Sequence, residues 1–302
     1  MKISRVYALL AASASLLWIG SASAQLIYVA NYGSFTVGVY NATTGAAIST
    51  NFISGLNNPI SLALSGNNLY VANFGSGRIG EYDATTGAAI NASLVTGLTS
   101  PEGIAISGNN LYVANASAQT IGEYDATTGA VINASFISGV RPYGLAVSGT
   151  NLFVSSSLDS TIGVYNATTG AAIHASLVSS GLSSPQGIAV LGTNLFVANN
   201  GNGTIGEYNA TTGATITNAL ASSFNSPVGL AISGTNIFVV NNGTGTIGEY
   251  TTSGATVNAS LVSGLNNPMG IVISAVPEPS SYAFMALGLV VIAIALRRTR
   301  PA

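Results

Sequence analysis

The chain has 302 residues, of which 48% are hydrophobic and only 5% are charged, and its formal net charge is −2. It contains no cysteine, which excludes a disulfide scaffold and thiolate metal sites. Because it also lacks a basic stripe, it does not have the electrostatic footprint of a nucleic-acid-binding protein. Core packing alone must stabilise the fold, and the length of the chain permits a large core.

Residues 1–24 have the pattern of a secretory signal peptide. Lys2 and Arg5 precede an apolar run, and the small residues ASA stand before Gln25, where a signal peptidase would cut. We therefore expect a mature chain that begins at Gln25. An uncut leader that anchors the protein in a membrane is the alternative.

Six copies of one unit follow this leader. Their starts lie near Gln25, Gly66, Gly108, Gly149, Gly192 and Gly234, so the period is about 41 to 43 residues, as is typical of β-propeller blades. Each complete copy has four β-prone segments, such as GIAIS, NLYVAN, RIGEYDA and AINASLV, with turn sequences between them. We label these segments strands A to D. Glycine recurs too often for helices of that length.

The two ends of the repeat region are complementary. The first copy begins at its strand B, and an unmatched strand A segment, PMGIVIS, follows the last copy at residues 268–274. Pairing these ends would leave no blade edge open. The sequence therefore predicts an all-β, six-bladed β-propeller of four-stranded antiparallel blades over residues 25–275. A linear solenoid is the alternative, but it would require distinct capping repeats.

The copies resemble NHL-repeat propellers. The similarity rests on PEGIAI at 101–106, NLYVAN at 68–73 and RIGEY at 78–82, and it extends over about 250 residues. Similarity to the YVTN-type surface propellers is nearly as good. The chain departs from the NHL pattern at the residue after VA, which is Asn or Ser here where an acidic residue is common in that family.

Alternating strands place the D-to-A loops and the B-to-C hairpins on one face of the disc, which we call the mouth face. The copies differ most on this face, whereas the turns of the opposite face are nearly identical. We predict a ligand site around the channel mouth, with drift of exposed loops as the alternative. Its candidate residues are Tyr32, Phe74, Arg78, Glu102, Tyr143, Asp159, Gln186, Asn200 and Met269.

Catalytic residues, metal sites and cofactors are not expected. The repeated acids Glu81, Glu123, Glu207 and Glu249 are interpreted as solubilising charges of an outer strand, and His174 as a surface residue of the outermost strand. Asp83 and Asp125 stand at turn positions where other copies have Asn. The alternative is a lactonase or lyase of propeller type, with a metal ion at the channel mouth held by Glu102, Asn73, Asn115 and Asn199.

Residues 276–302 form a three-part tail. Pro277, Glu278 and Pro279 precede an apolar run over residues 282–296, and Arg297, Arg298 and Arg300 follow it. The run is a marginal transmembrane helix, because its length of about 22 Å is short of a bilayer core of ~30 Å.

The tail resembles the PEP-CTERM sorting signal of Gram-negative bacteria. That resemblance implies recognition and removal by a membrane-embedded exosortase, and a setting in which exopolysaccharide is produced. An ordinary C-terminal anchor is the alternative. We therefore expect an exported protein that passes through an inner-membrane intermediate to the cell surface or the medium. Its expected role is non-catalytic binding, adhesion or extracellular-matrix structure, with exopolysaccharide or a surface protein as its partner.

Overall fold

The computed structural model describes residues 25–274, whose strands form six four-stranded antiparallel sheets. Each sheet carries strands A to D in spatial order, and we number the sheets as blades 1 to 6. Blade 1 consists of β24 (Pro268–Ile273), β1 (Leu26–Asn31), β2 (Thr36–Asn41) and β3 (Ala47–Ile53). Blade 2 consists of β4 (Pro59–Ser65), β5 (Asn68–Asn73), β6 (Arg78–Asp83) and β7 (Ala89–Val95), with a 3₁₀ turn at Phe74–Ser76.

The other four blades are continuous in the chain. Blade 3 consists of β8 (Pro101–Ser107), β9 (Asn110–Asn115), β10 (Thr120–Asp125) and β11 (Val131–Ser138). Blade 4 consists of β12 (Leu145–Ser148), β13 (Asn151–Ser156), β14 (Thr161–Asn166) and β15 (Ala172–Val178). Blade 5 consists of β16 (Pro185–Leu191), β17 (Asn194–Asn199), β18 (Thr204–Asn209) and β19 (Thr215–Ser222). Blade 6 consists of β20 (Pro227–Ser233), β21 (Asn236–Asn241), β22 (Thr246–Thr251) and β23 (Thr256–Val262).

The ring closes by pairing the two ends of the repeat region. Strand β24 lies antiparallel to β1, with Val29 opposite Ile271. The pairing continues past the strand end, where the Ser274 N–H donates to the Leu26 carbonyl at 2.9 Å. Each strand A also packs against strand A of both neighbouring blades, in a closed cycle. These contacts confirm the six-bladed propeller and its head-to-tail closure, and they exclude the linear solenoid.

Strand B explains why the blades need one another. Side chains alternate along β1, so that Ile27 and Val29 pack against blade 6 while Tyr28 and Ala30 pack against blade 2. All four residues are at most 2% exposed. Because both faces of the strand are apolar, a single blade would leave both of them in water. Packing blade against blade in a ring buries both faces.

Strand C contains the sequence Gly-x-Tyr in every blade. In blade 1 the Tyr40 ring lies over Gly38, where a β-carbon would collide with it. The same contact recurs at the five equivalent glycines. The glycine is required here by the close approach of the aromatic ring, which explains a residue that otherwise weakens a strand.

The C-to-D turns follow one design. The Asn41 side-chain oxygen accepts the N–H groups of Thr43 and Thr44, and Asp83 accepts those of Thr85 and Thr86 in the same way. This confirms that Asp takes the place of Asn in these turns. Gly45, with φ of 70°, ends the turn against the Leu261 carbonyl of blade 6, so the turns also fit the blades together.

The strand C glutamates are a correction to the sequence analysis. Glu81, Glu123, Glu207 and Glu249 are only 4%, 6%, 7% and 8% exposed, so the prediction of solubilising surface charges is wrong. Strand C is not an edge strand of the blade, because it pairs with strand B on one side and with strand D on the other. In blade 2 the Asn68 side-chain amide donates to the Glu81 carboxylate at 2.6 Å, and blades 5 and 6 repeat this bond. Burial raises the pKa of Glu123 and of Glu207.

The predicted leader and the predicted sorting tail lie outside the described residues. Within residues 25–274, the structure contains no helix that is long and apolar enough to cross a membrane.

Ring closure predicts that two introduced cysteines will join the chain ends. Leu26, the first residue of β1, is hydrogen-bonded to Ser274, which directly follows β24, and the chain has no native cysteine. The double variant Leu26→Cys/Ser274→Cys should form a disulfide during oxidative refolding, visible as a faster band in non-reducing electrophoresis. It should raise the free energy of unfolding by about 4 kcal/mol, because the closed loop is very long.

Ser148 stands at the position of the repeat in blade 4 that Ser274 occupies in blade 1. The control variant Leu26→Cys/Ser148→Cys should therefore remain a free dithiol. Equal crosslinking of the two variants would contradict the closure.

Candidate functional site: the mouth face

The central channel is lined by the first residues of the six strands A. Its cavity has a volume of about 240 Å³ and is bounded by side chains that follow the strand A prolines, namely Ile60, Glu102, Tyr143, Val228 and Met269. Glycine follows these side chains in five blades because the neighbouring backbone is too close for a β-carbon, as at Gly187 beside the Val228 carbonyl. In blade 2 the residue is Ser61, whose hydroxyl accepts the Ile104 N–H at 3.2 Å.

Tyr143 connects the channel with two surface pockets. It lines the channel cavity, a crevice of about 510 Å³ between blades 3 and 4, and a third pocket of about 300 Å³ near blades 5, 6 and 1. Its hydroxyl has a strongly raised pKa, because the group is buried and Glu102 is near. The Tyr143 side chain is therefore common to the three cavities.

Two buried acceptor atoms flank this tyrosine. Glu102 Oε2 and Gln186 Oε1 are both inaccessible to water, and neither has a hydrogen-bond partner within the described residues. Burial raises the pKa of Glu102 from its ordinary value of 4.5 to about 7. Three further side-chain oxygens, those of Asn31, Asn115 and Asn241 at the ends of strands B, are also buried without a partner in this part of the chain. An unpaired buried acceptor costs about 1–3 kcal/mol, so a ligand with donor groups that reached Glu102 and Gln186 would gain energy.

Six of the nine predicted site residues line these cavities. They are Tyr32, Glu102, Tyr143, Gln186, Asn200 and Met269. Phe74 packs against the hydrophobic cluster of blades 2 and 3, and Arg78 donates to the Ser93 hydroxyl at 3.2 Å, toward the outer strand. Asp159 contacts Arg141 at the rim of the crevice.

Two of the three asparagines of the enzyme alternative have structural partners, and the side-chain oxygen of the third, Asn115, is buried without one among the residues that the structure describes. The Asn73 side-chain oxygen accepts the Asn57 N–H at 3.2 Å, and that of Asn199 accepts the Ser183 N–H at 3.1 Å. None of Asn73, Asn115 and Asn199 lines the channel cavity that Glu102 lines. The structure therefore does not bring these four side chains together. Across residues 25–274, His, Cys, Asp and Glu form no group of three or more that could hold a metal ion. His174 is exposed on β15, as predicted.

Blade 4 differs from the other five blades at its entry. In the loop that enters blade 4, a single residue, Arg141, lies between the apolar Val140 and Pro142. In the other five loops two residues lie between the apolar residue and the proline. The other five loops place a residue with positive φ before the proline, such as Ser100 or Asn267. Blade 4 lacks that residue. Its Tyr143 N–H donates to the Ser155 carbonyl, the Ser155 N–H donates to the Gly144 carbonyl, and strand A continues from Leu145 without a bulge.

Two serines at the end of β13 make hydrogen bonds near this shorter loop. The hydroxyl of Ser155, which is fully buried, accepts the Gly144 N–H at 2.8 Å and donates to the Gln186 carbonyl at 2.6 Å. The hydroxyl of Ser156 donates to the Asp159 carboxylate at 2.8 Å. The blade 3–4 crevice beside this loop is lined by Glu102, Ala116, Gln119, Arg141, Pro142, Tyr143, Ser157 and Leu158. This crevice was not predicted from the sequence, although the loop before Pro142 is one residue shorter than the equivalent loops of the other copies.

Comparisons with known proteins agree with the fold and the tail. Residues 275–299 match the PEP-CTERM protein-sorting motif. A chain from a crystal structure of a nidogen/laminin complex has 15% sequence identity and a TM-score of 0.72, and the match covers 83% of this chain and 98% of that one. The computationally designed protein Ika8 has 18% identity and a TM-score of 0.48, with 76% and 70% of the two chains covered. No curated protein sequence matches the chain.

The fold and the tail together define a six-bladed β-propeller that carries a PEP-CTERM sorting motif. This motif marks the protein for export and for sorting from a membrane-anchored state, and it is consistent with an exosortase as the processing partner. The similarity to NHL repeats remains a prediction.

Substituting Glu102 should remove the part of the pH dependence of the unfolding free energy that comes from the Glu102 carboxyl group. The folded state binds the Glu102 proton more tightly than the unfolded state, because burial raises its pKa from 4.5 to about 7. The unfolding free energy should therefore fall as pH rises between these values, by at most about 3 kcal/mol. Glu102→Gln lacks this titration. The free energy of unfolding of the variant, measured with denaturant, should therefore rise relative to that of the wild type from pH 4.5 to pH 8. A stability difference that is constant across this range would contradict the burial of the carboxyl group.

Proposed function

We propose that this protein is an exported, non-catalytic binding module that acts at the cell surface or in the extracellular matrix. Export is supported by the PEP-CTERM motif at residues 275–299. The binding role is supported by one observation above all, the two unpaired buried acceptors that flank Tyr143 on the mouth face. In folded proteins such atoms are rarely left without a partner, and a ligand that supplies donors would satisfy them.

The chemistry of the mouth face favours a hydroxyl-rich ligand. Glu102 and Gln186 provide acceptors, Asn200 provides an amide, and Tyr32 and Tyr143 provide aromatic surface. Sugars combine hydroxyl donors with apolar C–H faces that pack on aromatic rings. We therefore propose an exopolysaccharide as the partner, in preference to a surface protein.

Processing of the tail can be tested by substitution. Replacing Pro277, Glu278 and Pro279 by Ala in the exporting host should leave the chain in the membrane with its tail attached. Mass spectrometry of the surface and membrane fractions measures the C-terminus in each case. Pro301 lies outside the matched segment, so Pro301→Ala should be processed like the wild type. Normal trimming of the triple variant would contradict the proposed route.

Binding at the mouth face can be tested on immobilised exopolysaccharide extracted from the producing cells. The double variant Tyr143→Ala/Gln186→Leu should bind at least tenfold more weakly than the wild type, because it loses an aromatic surface and an acceptor. Ile216→Ser changes an exposed residue of the outer strand β19 and should bind normally. Absence of wild-type binding, or equal binding of the double variant, would contradict this function.

A further inference from the structure

The blade 3–4 crevice contains an oriented cation. Arg141 and Arg78 are the two arginines of residues 25–274, and this segment contains no lysine. The Arg141 guanidinium lies 3.6 Å from the Asp159 carboxylate, and each side chain is about half exposed. Ser156 holds Asp159 in place by a hydrogen bond of 2.8 Å. At 3.6 Å the ion pair orients the guanidinium, and it leaves the planar N–H donors available for another anion.

The other walls of the crevice provide polar groups and an apolar surface. Glu102 contributes its unpaired oxygen Oε2, and Gln119 contributes an exposed amide. The remaining surface is largely apolar and comes from Ala116, Pro142, Tyr143 and Leu158, the last of which is 77% exposed. A cation, an acceptor and an apolar surface therefore meet in a volume of about 510 Å³, within the range of small-molecule sites.

These features occur together at the entry of blade 4. The shortened loop contributes Arg141 and Pro142 to the wall of the crevice. The fully buried Ser155 binds Gly144, the residue after Tyr143, and Ser156 binds the Asp159 carboxylate that contacts Arg141. The fixed backbone means that the site is formed before a ligand arrives, which lowers the entropic cost of binding.

We propose that the blade 3–4 crevice binds a sugar acid, the uronate unit of an acidic polysaccharide. The Arg141 guanidinium receives the carboxylate of the uronate, Glu102 accepts a hydrogen bond from a hydroxyl group, and the C–H face of the ring packs on Tyr143 and Leu158. A neutral sugar would offer Arg141 no carboxylate in addition to that of Asp159. An inorganic anion would leave the apolar surface uncovered. This inference rests on the proposed binding function and specifies its ligand class.

The charge balance of the domain makes the inference testable. Residues 25–274 contain eight acidic side chains against two arginines, so a polyanion is not attracted by the protein as a whole. Binding of a polyuronate should therefore depend on the Arg141 site. It should also weaken with added salt.

The test measures binding of a galacturonate hexamer to the purified full chain by calorimetry, with a neutral glucose hexamer as the second probe. The wild type should bind the galacturonate hexamer at least tenfold more tightly than the neutral one. Arg141→Gln should reduce the affinity for the galacturonate hexamer at least tenfold, and Arg141→Lys should recover part of it. Arg78→Gln removes the other arginine and should leave the affinity within about twofold.

A second variant tests the shape of the crevice while Arg141 is kept. Inserting Asn between Arg141 and Pro142, together with Ser155→Ala and Ser156→Asn, gives blade 4 the loop of the other blades. This repaired blade should fold with a thermal midpoint near that of the wild type and should lose binding of the galacturonate hexamer. If it does not fold, the Arg141 and Arg78 variants still decide the result.

The outcomes separate this inference from the proposed function. Equal effects of Arg141→Gln and Arg78→Gln, or equal binding of the two hexamers, would overturn the uronate site. If the chain binds the neutral hexamer and extracted exopolysaccharide but not the galacturonate hexamer, the crevice proposal fails while the binding function stands. If it binds neither hexamer and no exopolysaccharide, both fail.

Discussion

The pairing of β24 with β1 is the constraint on which the rest of the structure depends. Both faces of every blade are apolar, so each blade needs a neighbour on both sides. The chain satisfies this need at its ends by giving the last strand A to the first blade. Without this exchange, blades 1 and 6 would expose their inner surfaces, and the six strands A would not enclose a channel. The mouth face exists because the ring is closed.

The repeated parts of the chain and its variable parts have separate physical roles. Gly-x-Tyr recurs in strand C because the tyrosine ring lies over the glycine, and the last glycine of the C-to-D turn recurs because a β-carbon there would collide with the neighbouring blade. The hairpins and loops of the mouth face also pack closely, as at Gly77 beside the Leu98 carbonyl, but the side chains after the strand A prolines differ among the blades. Blade 4 extends that difference to the backbone, where a loop shortened by one residue is fixed by Ser155. The repeated parts of the propeller thus support one irregular connection, the shortened loop between blades 3 and 4.

The architecture could be predicted from the sequence because the six copies can be compared with one another within a single chain. The period, the four segments per copy and the complementary ends specify the blade number, the strand order and the closure. The burial of Glu81 was missed, because repetition alone does not reveal whether a position faces solvent or a neighbouring blade. The partner of Glu81 is Asn68, thirteen residues away across the sheet, and only the structure identifies that contact. The crevice was missed because Arg141 and Leu158 come from different loops that meet only in three dimensions.

The central claim is that the propeller is a closed ring with no weak seam between its first and last strands. Hydrogen–deuterium exchange of the full chain, followed by mass spectrometry of peptides, tests it directly. Peptides spanning β1 and β24 should exchange as slowly as those from β9 and β17, which lie inside continuous blades, since all four would open only on global unfolding. Rapid exchange confined to β1 and β24 would show that the ends are not joined, and would contradict the account.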